Sequence, residues 1–362
     1  MSCPDLPLFQ RWPQLCQRIP THPIGHWPSP VTQLRLGIGG AELWLKQDDQ
    51  SGPLYGGNKV RKLEFILGSA LSKGHTELWT VGAVGSHHCL ATAIYAREAG
   101  LDTHLIHFPQ PLTDHVKRNI LAVASTGAHL HLVSRQSLPV AILRARIASL
   151  IAERRERPGF LFVPGGGSND LGTLAFVNAA LELAEQIRAA ILPTPRRLFV
   201  AAGTCSTLAG LWLGLAIAGL PTQVIGVRVV DRFLTNTAAV KVLAARALRV
   251  LMTAGVKLPA RKLLMRPVVL EHTQFGPGYG EPTREAIDAL SALEQSDGIR
   301  LETTYTAKTL AAWMAAARSG NAEGPSLFWN TFNSQPLRLA EDAFERLPSA
   351  YQEMLGHDPR QT

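Results

Sequence analysis

Short apolar runs alternate with longer segments of helical period through most of this 362-residue chain. The run LWTVGAVG is followed by the helical segment HHCLATAIYAREAG, and the run RLFVAAG is followed by TLAGLWLGLAIAG. Each apolar run has the length of a buried strand, and each helical segment is long enough to return the chain to the start of a parallel strand. Because this alternation is typical of βαβ units, it predicts an α/β fold.

The length and one glycine-rich boundary predict two domains. A chain of 362 residues is long for a single hydrophobic core. The segment GGGSNDLG, at residues 165–172, separates two series of alternating strands and helices. We therefore expect a smaller domain at residues 62–172 and a larger one formed by residues 1–61 and 173–362.

Charge and cysteine content narrow the class of protein. The net charge of +8 permits an anionic partner, but the basic residues are scattered and form no stripe interleaved with aromatic residues. We therefore expect no nucleic-acid partner. The four cysteines are widely spaced, without a C-x-x-C pair, and the first twenty residues lack an apolar core segment. These features predict a reduced, cytoplasmic protein without a disulfide framework.

One uncharged segment, residues 198–227, is long enough to cross a bilayer. It is interrupted by the polar stretch GTCST and again at Pro221. We therefore predict a strand, a turn, a helix and a second strand in a buried α/β layer, and no membrane partner.

The stretch GPLYGGNKVRKLEF, residues 52–65, suggests a lysine with a chemical role. Apolar residues recur from Val60 onward at helical spacing, so a helix should begin near Asn58, a good capping residue. Lys59 then lies in the first turn, where the positive end of the helix dipole disfavours the ammonium form. Only the neutral amine can form an imine with an aldehyde. Taken alone, the stretch also allows a surface lysine after a glycine turn.

The stretch VAAGTCSTLAG, residues 200–210, is a candidate phosphate site. A strand ends in glycine, and hydroxyl-bearing residues lead into a helix, so that side chains and backbone N–H groups should converge at the helix N-terminus. A capped helix in a buried turn is the alternative. Neither a P-loop nor a G-x-G-x-x-G fingerprint is present, which disfavours a nucleotide-binding oxidoreductase. The candidate phosphate ligands are Gly203, Thr204, Cys205, Ser206 and Thr207.

Several segments together resemble the D-cysteine desulfhydrase and 1-aminocyclopropane-1-carboxylate deaminase family. LWLKQDDQSGPLYGGNKVRKLEF is similar to the lysine segment of these pyridoxal 5′-phosphate enzymes, and further similar segments follow in the family's order. They are GAVGSHH, VPGGGSNDLGTLAFVNAALEL, GTCSTLAG, GYGEPTREAI and LETTYTAK. The resemblance spans nearly the whole chain, and it implies the tryptophan synthase β-like fold. In that fold, two open, twisted parallel-sheet domains carry helices on both faces, with the cofactor between them.

The resemblance also implies roles for individual residues. Lys59 matches the lysine that holds pyridoxal 5′-phosphate covalently and moves the α-proton, and Lys62 matches a phosphate contact. Ser86 matches a serine on the substrate side of the cofactor ring. Tyr279 and Tyr305 match two tyrosines of the substrate pocket. Homodimers are common among the relatives, and we expect one here.

Thr306 matches the residue that faces the pyridine nitrogen. A carboxylate there would keep the nitrogen protonated, whereas a threonine offers only a neutral hydrogen bond. A weaker electron sink suits β-elimination, in which a good leaving group relieves the carbanion charge. We therefore predict a lyase acting on a small amino acid, with D-cysteine leading, that releases pyruvate, ammonia and hydrogen sulfide. Deamination of 1-aminocyclopropane-1-carboxylate or another small amino acid is the alternative.

Three departures from the family pattern leave open a protein that binds the cofactor without turnover. His87 replaces an asparagine that contacts the ring oxygen of the cofactor, and Cys205 replaces a glycine of the phosphate loop. Phe332 and Asn333 stand where relatives carry paired glycines. Adjacent His87 and His88 cannot face one metal ion from a helix, so we expect no metal site.

Overall fold

The computed structural model describes residues 3–154 and 159–360. Within these ranges there are ten strands, numbered in chain order. They are β1 (Val31–Gln33), β2 (Leu43–Gln47), β3 (Glu77–Ala83), β4 (Asp102–Phe108), β5 (His129–Leu132), β6 (Phe160–Val163), β7 (Arg197–Ala202), β8 (Gln223–Arg228), β9 (Val269–Glu271) and β10 (Ser326–Asn330).

The same residues form twelve α-helices, with short 3-10 turns between some of the elements. The helices are α1 (Pro7–Arg11), α2 (Asn58–Ser72), α3 (His87–Glu98), α4 (Asp114–Ala124), α5 (Leu138–Arg154), α6 (Asp170–Arg188), α7 (Ser206–Ile217), α8 (Thr237–Thr253), α9 (Ala260–Leu264), α10 (Arg284–Asp297), α11 (Thr306–Arg318) and α12 (Ser349–Leu355). The alternation of strands and helices confirms the α/β fold predicted from the apolar runs.

The chain divides into two compact units. The first comprises the chain up to Phe65 together with Ser168–Ser334, and the second comprises Ile66–Gly167 together with the chain from Gln335 onward. The division at Phe65 falls inside α2.

The first unit contains a six-stranded sheet in the order β1-β2-β10-β7-β8-β9. Only the β1–β2 pair is antiparallel, and the other neighbours are parallel. Successive side chains of β7 enter different hydrophobic clusters, because side chains alternate across a strand. Leu198 and Val200 pack with α6, α7 and α8, and Phe199 packs with α10 and α11. Both faces of this sheet are therefore covered by helices, as parallel sheets require.

The second unit contains a four-stranded, all-parallel sheet in the order β5-β4-β3-β6. One cluster joins residues of α4 to the C-terminal segment, including Val116 and Tyr351. A separate cluster joins Ala145 of α5 to β3, β4 and β6. The buried His107 lies 3.0 Å from the Tyr351 hydroxyl through its Nδ1, which ties β4 to α12.

The compact units differ from the predicted domain limits mainly at the C-terminus. The prediction placed residues 335–362 in the larger domain, whereas the structure packs the segment from Gln335 onward with the second unit. Leu347 and Leu355 bury their side chains against residues of α4. No strand follows Asn330 in the described chain, so the alternating pattern that located the other elements could not locate this segment.

The uncharged segment at residues 198–227 folds as predicted. It contains most of β7, all of α7 and most of β8, and α7 is buried among α6 and α8. Among the described residues, no helix is long and apolar enough to cross a membrane.

The expectation of a chain without a disulfide is wrong for one pair. Cys3 and Cys16 form a disulfide, with their Cα atoms 5.6 Å apart. The intervening residues contain α1 and the turn Pro13–Leu15, which fold the chain back on itself. The spacing of the cysteines along the sequence could not show that these two residues lie close together in the fold. Cys89 and Cys205 are buried thiols.

Candidate active site

The glycine pair before α2 is enforced by close backbone packing in the first unit. Gly57 has φ +93°, and a Cβ on it would lie 2.6 Å from the Phe332 carbonyl oxygen. A Cβ on Gly56 would overlap the Asp49 carbonyl oxygen. The Gly56 N–H donates to Asn333 Oδ1 at 2.5 Å. The residues that replace the family's paired glycines therefore support the turn that leads into α2.

Helix α2 begins at Asn58, as predicted, and Lys59 is its second residue. The Lys59 side chain is half-buried. Asn58, predicted as a cap, instead donates from its side-chain Nδ2 to Thr207 Oγ1 at 3.0 Å. This bond joins the N-terminal end of α2 to that of α7, so the lysine segment and the candidate phosphate loop lie together.

A buried ionic network fixes the first turns of α2. Arg61, only 2% exposed, donates to the Asp48 carboxylate and to the Glu182 carboxylate, each at 2.8 Å in its shortest bond. Lys46 donates to Glu182 as well. Burial alone would raise the pKa of Glu182, but the adjacent cations Arg61 and Lys46 outweigh it and lower that pKa to about 2. Arg61 lies between Lys59 and Lys62 in the sequence, so the network anchors the helical turn that carries both lysines.

Side chains from three separate segments converge at the N-terminus of α7. Lys62 Nζ donates to Ser206 Oγ at 2.7 Å. Ser168 Oγ lies 2.6 Å from Thr204 Oγ1 and 2.9 Å from Ser206 Oγ. We call Lys62, Ser168, Thr204, Ser206 and Thr207 the anion cradle.

The anion cradle fits a phosphate group. Burial, followed by the nearby charge of Lys59, places the pKa of Lys62 well below its usual value. A dianion beside this lysine would restore its ammonium form, and the hydroxyls and the helix N-terminus would donate hydrogen bonds to the same oxygens. Lys59, an amine three residues before Lys62, completes a donor set suited to a phosphorylated aldehyde such as pyridoxal 5′-phosphate.

Two members of the predicted phosphate loop, Cys205 and Gly203, are distinguished by the conformation and the contacts of their backbone. Cys205 adopts the left-handed region with φ +68°, which explains why glycine is usual at this position in the family. Burial raises the pKa of its thiol. The Gly203 carbonyl accepts a hydrogen bond of 2.5 Å from the Thr235 hydroxyl. A Cβ on Gly203 would lie 3.8 Å from the Tyr305 ring, so the loop approaches one of the predicted pocket tyrosines.

The two predicted pocket tyrosines meet in the first unit. The hydroxyls of Tyr279 and Tyr305 lie 2.6 Å apart, with the rings packed edge to face. The bond brings together residues that lie 26 positions apart in the chain. The hydroxyls form one polar unit, in which one group donates and the other accepts.

Thr306 begins α11, and its hydroxyl lies 3.0 Å from the Glu302 carboxylate. Glu302 also accepts the backbone N–H groups of residues 304–306 at distances between 2.7 and 3.1 Å. Burial raises the pKa of this carboxyl, although the N–H donors oppose that effect. The Glu302 carboxylate therefore caps the N-terminus of α11, and it also accepts a hydrogen bond from the Thr306 hydroxyl.

Ser86 and His87 lie in the second unit, at the N-terminus of α3. Ser86 is the N-cap of α3, where its hydroxyl accepts the Cys89 N–H at 3.3 Å. His87, the first residue of α3, is half-buried, and its Nε2 lies 2.9 Å from Nε2 of His115 on α4.

Sequence reasoning missed three residues that the structure places beside predicted ones: Ser168, Glu302 and His115. Ser168 lies inside GGGSND, a segment that carried the family resemblance, and its hydroxyl was a usable signal. Glu302 is the second residue of LETTYTAK and stands four residues before Thr306, a spacing compatible with a contact across one helical turn. His115 gave no signal, because its contact joins two separate helices.

The chain matches known proteins over most of its length. A family model described as "Pyridoxal-phosphate dependent enzyme" matches residues 24–331. Nocardicin C-9′ epimerase from Nocardia uniformis subsp. tsuyamanensis is 35% identical, covering 86% of this chain and 91% of that protein. The mitochondrial bifunctional D-cysteine desulfhydrase/1-aminocyclopropane-1-carboxylate deaminase of Arabidopsis thaliana is 30% identical, covering 82% of this chain and 74% of that protein.

Among solved structures, the crystal structure of an ACC deaminase homologue aligns with a TM-score of 0.75 at 28% identity, covering 93% of this chain and 98% of that one. This alignment and the family match confirm the predicted fold and its cofactor, pyridoxal 5′-phosphate. The chain therefore belongs to the pyridoxal-phosphate dependent enzymes, in the family that includes D-cysteine desulfhydrase and 1-aminocyclopropane-1-carboxylate deaminase.

Proposed function

We propose that this protein is a lyase that catalyses β-elimination from a small amino acid, with D-cysteine as the substrate and pyruvate, ammonia and hydrogen sulfide as products. The bound cofactor supplies an aldehyde for the substrate amine and a ring that withdraws electrons from the α-carbon. The protein supplies the binding, orientation and proton transfers that select elimination.

The anion cradle would hold the cofactor phosphate. Lys62 Nζ and the Ser206 hydroxyl, 2.7 Å apart, can direct donors at the same phosphate oxygens. Thr204 and Ser168 add hydroxyls to this cluster. Lys59 would attach the cofactor through Nζ, and its freed amine would take the substrate's α-proton.

The paired hydroxyls of Tyr279 and Tyr305 would orient the substrate and supply a proton to the leaving group. Either hydroxyl can donate its proton to a substrate atom while it accepts the proton of the other hydroxyl. The pair can therefore present one proton at a fixed position. The family resemblance supports their place at the substrate.

The observation that carries the choice of elimination is the neutral threonine at position 306. Its hydroxyl is held at 3.0 Å from a carboxylate that already serves the N-terminus of α11. No carboxylate side chain stands at position 306 itself. A neutral partner for the pyridine nitrogen suits a reaction with a good leaving group, such as a thiolate.

A product assay tests this function. Purified holoenzyme would be incubated separately with D-cysteine, L-cysteine and 1-aminocyclopropane-1-carboxylate, and pyruvate, sulfide and 2-oxobutanoate would be measured. We expect pyruvate and sulfide in equal amounts from D-cysteine. 2-Oxobutanoate from the cyclopropane substrate would instead establish a deaminase. Retained cofactor absorbance without any product would establish a protein that only binds the cofactor.

Epimerisation at the α-carbon is a second candidate, favoured by one comparison. The relative named as an epimerase is 35% identical to this chain, against 30% for the bifunctional relative. Loss and return of the α-proton is shared by both reactions, so the same lysine could serve either. Chiral chromatography of the amino acid recovered from deuterium oxide would show inverted, deuterated substrate for an epimerase and only keto acid for a lyase.

A further inference from the structure

Lys308 is a buried lysine of the first unit that the proposed mechanism does not use. It is the third residue of α11, and its side chain is 0% exposed. Its Nζ donates to the Phe275 carbonyl oxygen at 2.8 Å. Because lysine is almost never fully buried without a partner, this hydrogen bond fixes the side chain in the fold. The bond joins α11 to the segment that carries Tyr279.

A glycine-rich turn carries Tyr279. The sequence at residues 276–280 is GPGYG, with three glycines in five positions. Gly276 and Gly280 have positive φ angles of +70° and +83°. Glycine loses more conformational freedom on folding than any other residue, so contacts outside the turn must stabilise its ordered form. We call residues 275–283 the tyrosine turn.

The two ends of the tyrosine turn meet beside Lys308. Thr283 is the N-cap of α10, where its hydroxyl accepts the Ala286 N–H at 3.2 Å. A Cβ on Gly276 would lie 2.6 Å from Thr283 Cγ2 and 3.9 Å from Lys308 Nζ. The turn is therefore closed at its base, and the lysine amine lies at that base.

Arg228, at the end of β8, also contacts the start of the tyrosine turn. Its guanidinium carbon lies 4.2 Å from the centroid of the Phe275 ring, a cation–π contact. Its Nε lies 3.0 Å from Nδ1 of His272. Arg228 thus binds the side chain of Phe275, whereas Lys308 binds its carbonyl group. These contacts hold Phe275 against both β8 and α11.

The hydrogen bond from Lys308 does not depend on the charge of the lysine. Burial lowers the pKa of Lys308, and the nearby charges of Glu302 and Glu281 oppose that effect. Both the ammonium and the neutral amine carry N–H donors, and the Phe275 carbonyl can accept from either form. The contact can therefore persist when the lysine loses its proton.

We propose that Lys308 is a positioning residue that anchors the tyrosine turn on α11 and thereby holds the Tyr279 hydroxyl against that of Tyr305. Tyr305 is the N-cap of α11, three residues before Lys308, so the anchor and the hydroxyl pair lie at the same end of one helix. The two hydroxyls lie 2.6 Å apart. This inference rests on the proposed function, in which the pair orients the substrate and supplies a proton.

Fluorine-19 NMR of holoenzyme labelled with 3-fluorotyrosine tests the anchor without turnover. The chain has five tyrosines, so each signal can be assigned with a Tyr→Phe variant. Lys308→Met keeps the apolar stem and removes the donor, and we expect the signals of Tyr279 and Tyr305 to shift while that of Tyr351 stays. Lys308→Arg restores a donor and should return both signals toward their original positions. Unchanged signals in Lys308→Met would overturn the proposal.

Met314→Ala is the matched control. Met314 is buried in the same helix, so alanine there weakens the packing of α11. The described members of its hydrophobic cluster include no residue of the tyrosine turn. The signals of Tyr279 and Tyr305 should therefore keep their positions. Shifts as large as those in Lys308→Met would overturn the proposal, since any weakening of α11 would then displace the pair.

Kinetic coupling provides the second readout. A catalytic group misplaced by about 1 Å can cost about a hundredfold in rate, and we expect Lys308→Met to lower kcat/KM by about that factor. In the Tyr279→Phe background the same substitution should cost almost nothing further, because the hydroxyl that Lys308 positions is already absent. A full additional loss in that background would contradict the assigned role.

The fluorine signals separate this inference from the proposed function. The expected shifts in a protein that turns over no amino acid would support the anchor and identify a failure of the proposed function. Unchanged signals in an enzyme that is active on D-cysteine would identify a failure of this inference alone.

Discussion

Lys62 Nζ donates a 2.7 Å hydrogen bond to the hydroxyl of Ser206, a residue 144 positions later in the chain. The contact places a buried amine from α2 at the N-terminus of α7, next to the hydroxyls of Ser168 and Thr204. Burial makes the ammonium form of Lys62 unfavourable, and a bound dianion would reverse that effect. The proposed placement of the cofactor phosphate depends on this relationship.

Replacing Lys62 should weaken cofactor binding more than it weakens folding. A hydrogen bond to a charged group contributes about 1.5–3 kcal/mol, which corresponds to a loss of roughly tenfold to a hundredfold in affinity. We expect Lys62→Met to raise the dissociation constant for pyridoxal 5′-phosphate by that factor in a titration of the apoprotein. Lys257→Met, at an exposed lysine, is the control and should leave the constant unchanged. Equal affinities for all three proteins would remove Lys62 from the phosphate site.

The two tyrosine hydroxyls should act as one unit. Because Tyr279 and Tyr305 share a 2.6 Å bond, removing either hydroxyl disrupts the same donor–acceptor pair. We expect Tyr279→Phe and Tyr305→Phe each to lower kcat/KM by about a hundredfold to ten-thousandfold, the range in which a lost acid–base contribution falls. The double variant should lose little more than either single variant. Losses that multiply in the double variant would show that the hydroxyls act independently.

Glycine at position 205 should give a more stable protein than alanine, the reverse of the order of stability within a helix. The φ of +68° at Cys205 lies in the left-handed region, which costs residues with a Cβ about 1–2 kcal/mol. We expect Cys205→Gly to be more stable than Cys205→Ala by about 1 kcal/mol in urea unfolding of the apoprotein. The matched position is Ala209 in α7, where Ala209→Gly should cost about 1 kcal/mol. A Cys205→Ala variant as stable as Cys205→Gly would show that this backbone carries no strain.

The ionic network beneath α2 should make stability depend on pH in the acid range. The pKa of Glu182 is lowered to about 2 in the folded protein, from about 4.3 in an unfolded chain. The unfolded state therefore binds more protons between these values, so this stabilisation is present above about pH 4.3 and is lost as the pH falls toward 2.

Glu182→Gln isolates that contribution. The variant leaves the buried cations Arg61 and Lys46 short of one carboxylate, and we expect a loss of about 3–5 kcal/mol at pH 7. The difference from the parent protein, measured by urea unfolding, should shrink as the pH falls below 4.3. A difference that stays constant down to pH 2.5 would contradict the assigned pKa.

The fold could be predicted from local pattern because each strand and each crossover helix carries its own periodicity. The run RLFVAAG became β7, and the segment beginning at Asn58 became α2. The packing of the segment after Ser334 depends on side chains such as Tyr351 meeting β4, a contact without a local signal in the sequence. The Cys3–Cys16 disulfide could not be predicted from local pattern either, because it depends on a reversal of the chain.

The candidate site divides in the same way. Residues that share one segment, such as Thr204 and Ser206, were found together from the sequence of the loop. Ser168 joins them from a separate segment, and its distance of 2.6 Å from Thr204 is a property of the folded chain. His115 meets His87 only because α3 and α4 pack side by side. Sequence reasoning thus grouped residues that share a segment but missed partners supplied by tertiary contacts.

The most direct test of the central claim is the identity of the lysine that carries the cofactor. Borohydride reduction of the holoenzyme, followed by peptide fragmentation in a mass spectrometer, should place the pyridoxyl phosphate mass on Lys59. Lys59→Ala should lose both the label and the turnover. A label on Lys62 or any other lysine of the native enzyme, or full activity in Lys59→Ala, would contradict the account.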